Sequence, residues 1–393
     1  MTQASHDTST SATGKATKPK GRRKLFLKQK VMLRMVYALL PLLASAIYFF
    51  GWRALGVVAF VFALGLTTEY VTSRNRGQPV SMACLVTCML YGLSLPPTVP
   101  FWVAGVGIFV GILFGKEVFG GFGKNFANPA IVGRAFVYVC FPVPLTGQFV
   151  PAFRGFPAGL THWSMESFLR SAGQLPEYLH AAGGRIADAV TQASPMWVNK
   201  AHGATATYEG HSFWNMLWGN IGGLFEAGPG GQKVLAAGSM GEGCAVLIAI
   251  AAVYLLVTRT ANWRLMLSGF VGLAAATFLF RNLLGYDDLA TAGQWRYVVP
   301  PLHFTLVAGT TAYAAVFMVT DPVSAPKQRP AQFAYGFLIG FLIVFLRWRG
   351  VFVAAASFSI LLGNIVGPLL DIGAQAWKNR KKQTVAAKDR GGG

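Results

Sequence analysis

The chain has 393 residues, of which 53% are hydrophobic and 12% charged, with a mean hydropathy of +0.47. Average soluble domains carry about 25% charged residues, so half that share at this length argues against an ordinary soluble enzyme and for a polytopic membrane protein. The formal net charge is +20, yet much of the excess lies in two terminal runs, Lys15–Arg34 and Lys378–Lys388. Basic termini flanking membrane helices are a positive-inside signature rather than a nucleic-acid footprint, so no nucleic-acid partner is expected.

Residues 1–27 read as a polar, basic, disordered cytoplasmic tail without a cleavable signal. A first group of apolar runs follows at Met32–Phe50, Ala54–Val71, Met82–Leu95, Phe101–Phe114 and Pro129–Phe149, filling residues 28–149. Residues 150–240 hold a long polar interval. A second group covers 241–375, with runs at Gly241–Val257, Leu265–Leu284, Leu302–Val319, Phe333–Leu346 and Val351–Leu370, and 376–393 form a basic tail. Several runs are shorter than the ~20 residues of a full crossing. Short spans broken by Gly and Pro in both halves are typical of transporter-like folds with internal repeats. The fold class is therefore an all-α polytopic membrane protein of about ten transmembrane helices.

Arg-bearing loops at Ser73–Gln78 and Thr258–Arg264 put both termini in the cytoplasm and the long interval outside; only the turn Arg347–Gly350 goes against this. The halves echo one another. Ser94–Pro100 aligns with Thr320–Pro326, Gly107 and Gly111 with Gly336 and Gly340, and Asn128–Gly133 with Asn364–Gly367. The four cysteines all fall in apolar segments and read as small buried hydrophobes, although Cys84 and Cys88 share a helical face.

The stretch Gly115–Pro129 concentrates glycines, Lys116, Glu117, Lys124, Asn125 and Asn128 between two apolar runs. Broken backbone within a membrane is tolerated only inside protein or around a cavity, and intramembrane charges are functional candidates. The alternative is a tight helix connection whose charges face water. Elsewhere, Glu69, Arg134, Arg281, Asp321 and Asp371 are the charges at or within spans. Asp321 and Asp371 could bind Na⁺ or carry protons, or could pair with interfacial bases. The histidines of the outer interval match no metal spacing.

Leu95–Pro100, Gly115–Ala130 and Gly133–Phe136 resemble the B subunit of the Na⁺-translocating NADH:quinone reductase and the related D subunit of the Rnf electron-transport complex. Phe317–Ala325, Tyr335-Gly336, Ile360–Asn364 and Pro368–Asp371 carry the likeness through the second half. The resemblance implies two inverted five-helix repeats in the bacterial inner membrane. It also implies an FMN joined by a phosphoester bond to a hydroxyl residue of the outer loop, and a riboflavin buried between helices. Electrons would come from a periplasmic flavin-bearing subunit of the complex and pass to quinone, coupled to Na⁺ or H⁺. A flavin transferase would attach the FMN, and the chain would contact membrane lipid throughout.

By the same resemblance, Gly120 and Gly121, with Glu117 nearby, border the quinone site, and Asp321 and Asp371 mark a Na⁺ path. The FMN-attachment motif corresponds to Asp188–Ser194, which makes Ser194 the acceptor, with Asp188 and Thr191 beside it; Thr205 is the second choice. The chain departs from the family in three places. In that motif Gln192 replaces a glycine and Ser194 the usual threonine, Val353-Ala354-Ala355 stands where the family has Pro-Glu-Gly, and an insertion around Glu226–Ala237 separates Gly219-Asn220 from Ser239–Glu242. The rival expectation is a flavin-free channel or transporter on the same scaffold.

Overall fold

A computed structural model describes residues 26–27, 29–146, 150–153, 155–165, 167–168, 213–219, 224–226, 232–234, 238–284, 298–307, 310–349 and 354–390. Helices dominate these residues. The chain begins with β1 (Phe26–Leu27), then α1 (Lys30–Phe50) and α2 (Trp52–Asn75), which form a hairpin about Gly51. Gly51 has φ of +88°, and a Cβ there would lie 2.7 Å from the carbonyl oxygens of His162 and Trp163, so only glycine is accommodated. Those carbonyls accept from the amides of Trp52 and Arg53 at 3.1 and 2.8 Å, and the Phe153 amide donates to the Phe49 carbonyl at 2.9 Å. The chain from Phe153 to Trp163 thus closes over the α1–α2 turn at one end of the bundle.

Next come β2 (Val80–Ser81), which pairs in parallel with β1, then α3 (Ala83–Leu93), α4 (Phe101–Ile112) and α5 (Pro129–Cys140). A π-helical turn, Leu113–Glu117, extends α4. Asn128 caps α5 by accepting from the Ala130 amide at 3.0 Å, with Pro129 at the first helical position, where its missing N–H costs nothing. The run read as Pro129–Phe149 breaks at Phe141, because Pro142 and Pro144 have no N–H for the α5 ladder, and resumes as a short helical turn over Pro142–Thr146. At the stretch read as an insertion, Glu226–Ala237, β3 (Leu224–Glu226) leads into it and pairs antiparallel with β4 (Gln232–Val234) inside it.

The second half contains α6 (Ala245–Val257), α7 (Trp263–Phe278), α8 (Leu302–Val307), α9 (Thr310–Tyr313), α10 (Arg329–Val344) and α11 (Ala355–Arg390). π-helical turns continue α7, α9 and α10 over Leu279–Leu283, Ala314–Met318 and Phe345–Arg349. α11 runs 36 residues, well past the apolar run that ends near Leu370. Its continuation is rich in Lys, Gln, Ala and Arg, which lose little side-chain freedom in a helix, so the expected tail is helical to Arg390.

Among the described residues, five helices are long and apolar enough to cross a membrane: Lys30–Phe50, Trp52–Asn75, Trp263–Leu283, Arg329–Arg349 and Ala355–Thr384. Three shorter apolar helices, α3, α5 and α6, accompany them. In the first half α4 packs on α2 and α5; in the second, α10 packs on α7 and α11. Glycines permit both crossings. A Cβ on Gly111 would reach 2.5 Å from the Pro129 carbonyl oxygen, and one on Gly336 would reach 2.6 Å from that of Leu265. Cys84 and Cys88 lie one turn apart with sulfurs at 3.9 Å; they and Cys244 are buried, whereas Cys140 is exposed, against the expectation for all four.

Candidate functional site

The π-helical end of α4 turns Lys116 and Glu117 into the protein, where each is only 3% exposed. A π turn inserts one residue into the helix and so re-aims the side chains that follow. Lys116 Nζ lies 2.6 Å from Glu69 Oε2 and donates to Ser81 Oγ at 2.7 Å. Glu69, on sequence-distant α2 and 1% exposed, also accepts from the Ser81 amide and hydroxyl, both at 2.8 Å. Glu117 pairs with Arg76 at the end of α2 and accepts from Thr72 Oγ1 at 3.0 Å. Arg76 Nη1 also donates to the Glu117 carbonyl at 2.9 Å. Two acids and two bases therefore balance in one network, with Glu69, Lys116 and Glu117 buried and Arg76 reaching in from the surface, which is how the buried charges survive desolvation.

Beyond it the chain turns through Gly120, Gly121 and Gly123, with φ of +105°, +92° and +84°. Gly121 faces Arg76 and Gln78, since its Cβ would sit 3.3 Å from each, and Gly120 faces Lys124. The glycine pair and Glu117 thus share one corner, at the end of α2 remote from the Gly51 turn. The other half of the stretch faces a cleft between the two groups of helices. Met32 and Met35 of α1, Leu90 of α3, Lys116, Asn128 and Phe317 line it, with Asp321 at its edge. The cavity is about 40 Å³, enough for water. Its mix of apolar walls and amide, ammonium and carboxylate groups matches in kind the polar edge of a flat heterocycle, but its size does not admit a flavin.

Asp321 opens a turn in which its carboxylate accepts from the Val323 amide at 3.2 Å and from Ser324 Oγ at 2.7 Å. Burial pushes this carboxyl above the usual carboxylate range, opposed by those hydrogen bonds. Asp371 stands on α11 and accepts from the amides of Lys327, at 2.8 Å, and Gln328, at 2.8 Å, where it anchors the start of α10. A carboxylate at a helix N-terminus is stabilised by the unsatisfied amides there. The structure brings Asp321 to the Lys116 cleft and leaves Asp371 on the next groove along. Ser194, Asp188, Thr191 and Thr205 lie outside the described residues.

A second buried charge group joins the halves. Arg134 Nη2 on α5 lies 3.3 Å from both Glu242 Oε1 and Ser239 Oγ, in the short turn before α6. Arg347, 2% exposed at the end of α10, bonds Thr311 Oγ1 and is close enough for its charge to interact with Arg134 and Glu242. The sequence marks Glu69, Lys116 and Arg134 as charges at or near spans but not which groups they pair with. Glu69 and Lys116 are 47 residues apart and Arg134 and Glu242 are 108 apart, so only packing reveals the pairs. Among the described residues, no group of three or more His, Cys, Asp or Glu could hold a metal ion.

Residues 19–378 match the NQR2, RnfD, RnfE family. The B subunit of the Na(+)-translocating NADH-quinone reductase of Chromohalobacter salexigens is 33% identical over 318 residues, covering 81% of this chain and 64% of that protein. The B subunit of the same reductase from Azotobacter vinelandii is 33% identical over 319 residues, or 81% of this chain and 66% of that protein. The D subunit of the ion-translocating oxidoreductase complex of Halorhodospira halophila is 29% identical over 348 residues, or 87% and 88% of the two chains. The chain spans slightly under two thirds of the length of the two reductase proteins and most of the length of the third relative. With nearly its whole length matched, the chain belongs to the NQR2, RnfD, RnfE family.

Proposed function

We propose that the chain is the membrane-embedded flavin subunit of a respiratory electron-transport complex, passing electrons to quinone with translocation of Na⁺ or H⁺. The observation that carries the reading is the meeting of the two family motif stretches, Gly115–Pro129 and Phe317–Ala325, around one cleft between the halves. In this reading there are ten membrane helices in two inverted five-helix repeats, with α8 and α9 forming one span. One observation supports the inversion and a second the repeat itself. Arg53 bonds the carbonyls of Pro97 and Val99, so Ser94–Pro100 sits at the Gly51 end; its repeat partner Thr320–Pro326 sits at the Lys116 end. The same pairs of helices also pack in each half.

FMN is attached to Ser194, with Asp188 and Thr191 beside it and Thr205 as the second choice, and riboflavin is the second cofactor. Bound flavin supplies one-electron chemistry; the protein supplies attachment, position and electrostatics. The quinone site includes the Gly120–Gly121 corner, where Arg76 and Glu117 fix the loop. Asp321 is the better cation candidate of the two aspartates, because it lines the cleft between the halves, whereas Asp371 lies on the next groove and holds the amides that begin α10. The other partners are the remaining subunits of the complex, among them a periplasmic flavin-bearing one, and the flavin transferase. The location is the bacterial inner membrane with both termini cytoplasmic.

In-gel flavin fluorescence of the denatured chain, co-expressed with its flavin transferase, tests the reading. A fluorescent band that disappears in Ser194→Ala is expected. A band that survives moves the attachment to Thr205. No band in the unaltered chain favours the flavin-free channel or transporter, a reading for which the Gln192 departure speaks.

A further inference from the structure

The start of α10 and the far part of α11 put a basic rim on an apolar groove. The groove, of about 440 Å³, runs between α11 and the loops at Phe126 and Val323–Lys327. Phe126, Val323, Pro326, Ile365 and Pro368 give it apolar walls, and Lys327 and Asp371 stand where the apolar part of α11 gives out. Its volume falls in the range of small-molecule sites, about 300–1,000 Å³. Ile365 also belongs to an exposed apolar stripe of α11, continued by Leu369 and Ile372, which is the surface a bilayer covers. The groove therefore opens toward lipid.

Three cations gather at its outer end. Lys327 precedes α10 and Arg329 opens it. Lys378 lies seven residues beyond Asp371 on the same face of α11, about 10 Å along the helix. Side chains of a helix lean toward its N-terminus, so Lys378 leans back toward Asp371 and Lys327 rather than away into solvent. All three cations are exposed, and none forms an ion pair among the described residues. Asp371 is the acid of the rim, and both its oxygens accept from the amides of Lys327 and Gln328. Three positive charges against one negative leave the rim with an excess of two. Trp377, exposed and with Lys381 Nζ 5.6 Å from its ring centre, marks the membrane–water boundary, where indole rings concentrate. Lys378 is thus at the depth of the head groups, and the groove leads from there toward hydrocarbon.

An occupant must be anionic at the rim and apolar below it. A free phosphate has nothing to place in the groove, and a zwitterionic lipid carries its own cation to a rim already in positive excess. We propose that groove and rim bind one anionic phospholipid, with an acyl chain along Ile365 and Phe126 and the phosphate among Lys327, Arg329 and Lys378. The site stands whether or not the chain carries a flavin.

Phosphatidylglycerol carrying a diazirine on one acyl chain, added to the full chain in phosphatidylcholine nanodiscs, tests it, with labelled peptides mapped by mass spectrometry. Label is expected on the peptides containing Phe126 and Ile365–Asp371, competed by unlabelled phosphatidylglycerol and not by further phosphatidylcholine. A basic side chain near the membrane surface attracts an anionic lipid by about 1 kcal/mol, so Lys327→Gln and Lys378→Gln should each weaken the labelling about fivefold. Both side chains are exposed, so neither change touches the core. Ile365→Trp, which narrows the groove without removing a charge, should lower the label while the remaining label stays selective for phosphatidylglycerol. Label in the groove that phosphatidylcholine competes equally well marks ordinary lipid packing and overturns the site. Selectivity that survives the double variant Lys327→Gln/Lys378→Gln overturns the head-group assignment. Absence of label from both peptides also overturns the site and leaves the cations to an acidic protein partner.

Discussion

Replacing Lys116 by Met is the sharpest test of the buried network. Lys116 Nζ and Glu69 Oε2 are 2.6 Å apart, with side chains 4% and 2% exposed. At an effective dielectric of about 20, two unit charges at that distance attract by about 6 kcal/mol before desolvation is counted. Desolvation offsets much of this, so the pair as a whole adds little. Removing one partner is different: it strands a buried charge and costs about 3–5 kcal/mol. Lys116→Met should therefore destabilise by that amount, Glu69→Gln by a comparable one, and the double variant by clearly less than their sum. The assay is denaturant unfolding of the purified chain in mixed micelles, arranged as a double-mutant cycle. A coupling of about 2 kcal/mol or more is expected for groups in one network. Additive losses, or a single Lys116→Met loss under about 1 kcal/mol, would refute the reasoning.

Gly133→Val puts side-chain atoms against the Gly107 carbonyl at the α4–α5 crossing; overpacking of this kind costs about 1–3 kcal/mol, and the expected outcome is a fall in monodisperse yield on size exclusion. Asp321→Asn tests the turn at the cleft edge. Burial raises the folded-state pKa of this carboxyl, so the native chain holds the proton more tightly than the unfolded chain does, and stability from this group is present below the ordinary aspartate range and lost as pH rises through it. Asparagine keeps an acceptor for Val323, so the variant should gain melting temperature near neutral pH and show no gain at about pH 3; a gain independent of pH would contradict this assignment.

Sequence patterns carry the bundle further than they carry the site. Apolar runs and positive-inside loops locate the helices, because crossing a bilayer leaves a long one-dimensional signature. The ends are less legible: α11 continues through Lys378–Lys382 because helix propensity persists where hydropathy stops. Glu117 and Gly121 stand close in the sequence and do share a corner, through Arg76, a residue that reads only as a loop charge. Glu69 is visible as the lone acid of its span and Lys116 as a charge of the glycine-rich stretch, but their pairing across 47 residues is not, since an inter-helix pair has no period to follow. Asn364 reads as a repeat echo of Asn128, yet the two do different work. Asn128 caps a helix, while Asn364 leaves an amide atom unpaired inside one.

The departure at Val353-Ala354-Ala355 has a counterpart across the bundle. Arg134 Nη1 is buried and has no hydrogen-bond partner among the described residues, while Nη2 serves Glu242 and Ser239. Arg134, Arg347 and Glu242 sum to one positive charge in excess. Tyr138 lies one turn beyond Arg134 on the same face of α5, shares a hydrogen bond with the Ala354 backbone, and meets the Phe358 ring at 6.3 Å. Ala354, 8% exposed, thus lies beside Tyr138 on the face of α5 that also carries Arg134, at the position where the resemblance implies a glutamate. A carboxylate there would give Arg134 Nη1 an acceptor, and a hydrogen bond to a charged group contributes about 1.5–3 kcal/mol. Ala354→Glu should therefore melt higher than the isosteric Ala354→Gln, which brings the same bulk without the charge. The measurement is a thermal scan of both variants in nanodiscs. If the glutamine variant is the more stable of the two, the positive excess around Arg134 is already compensated and the inference fails.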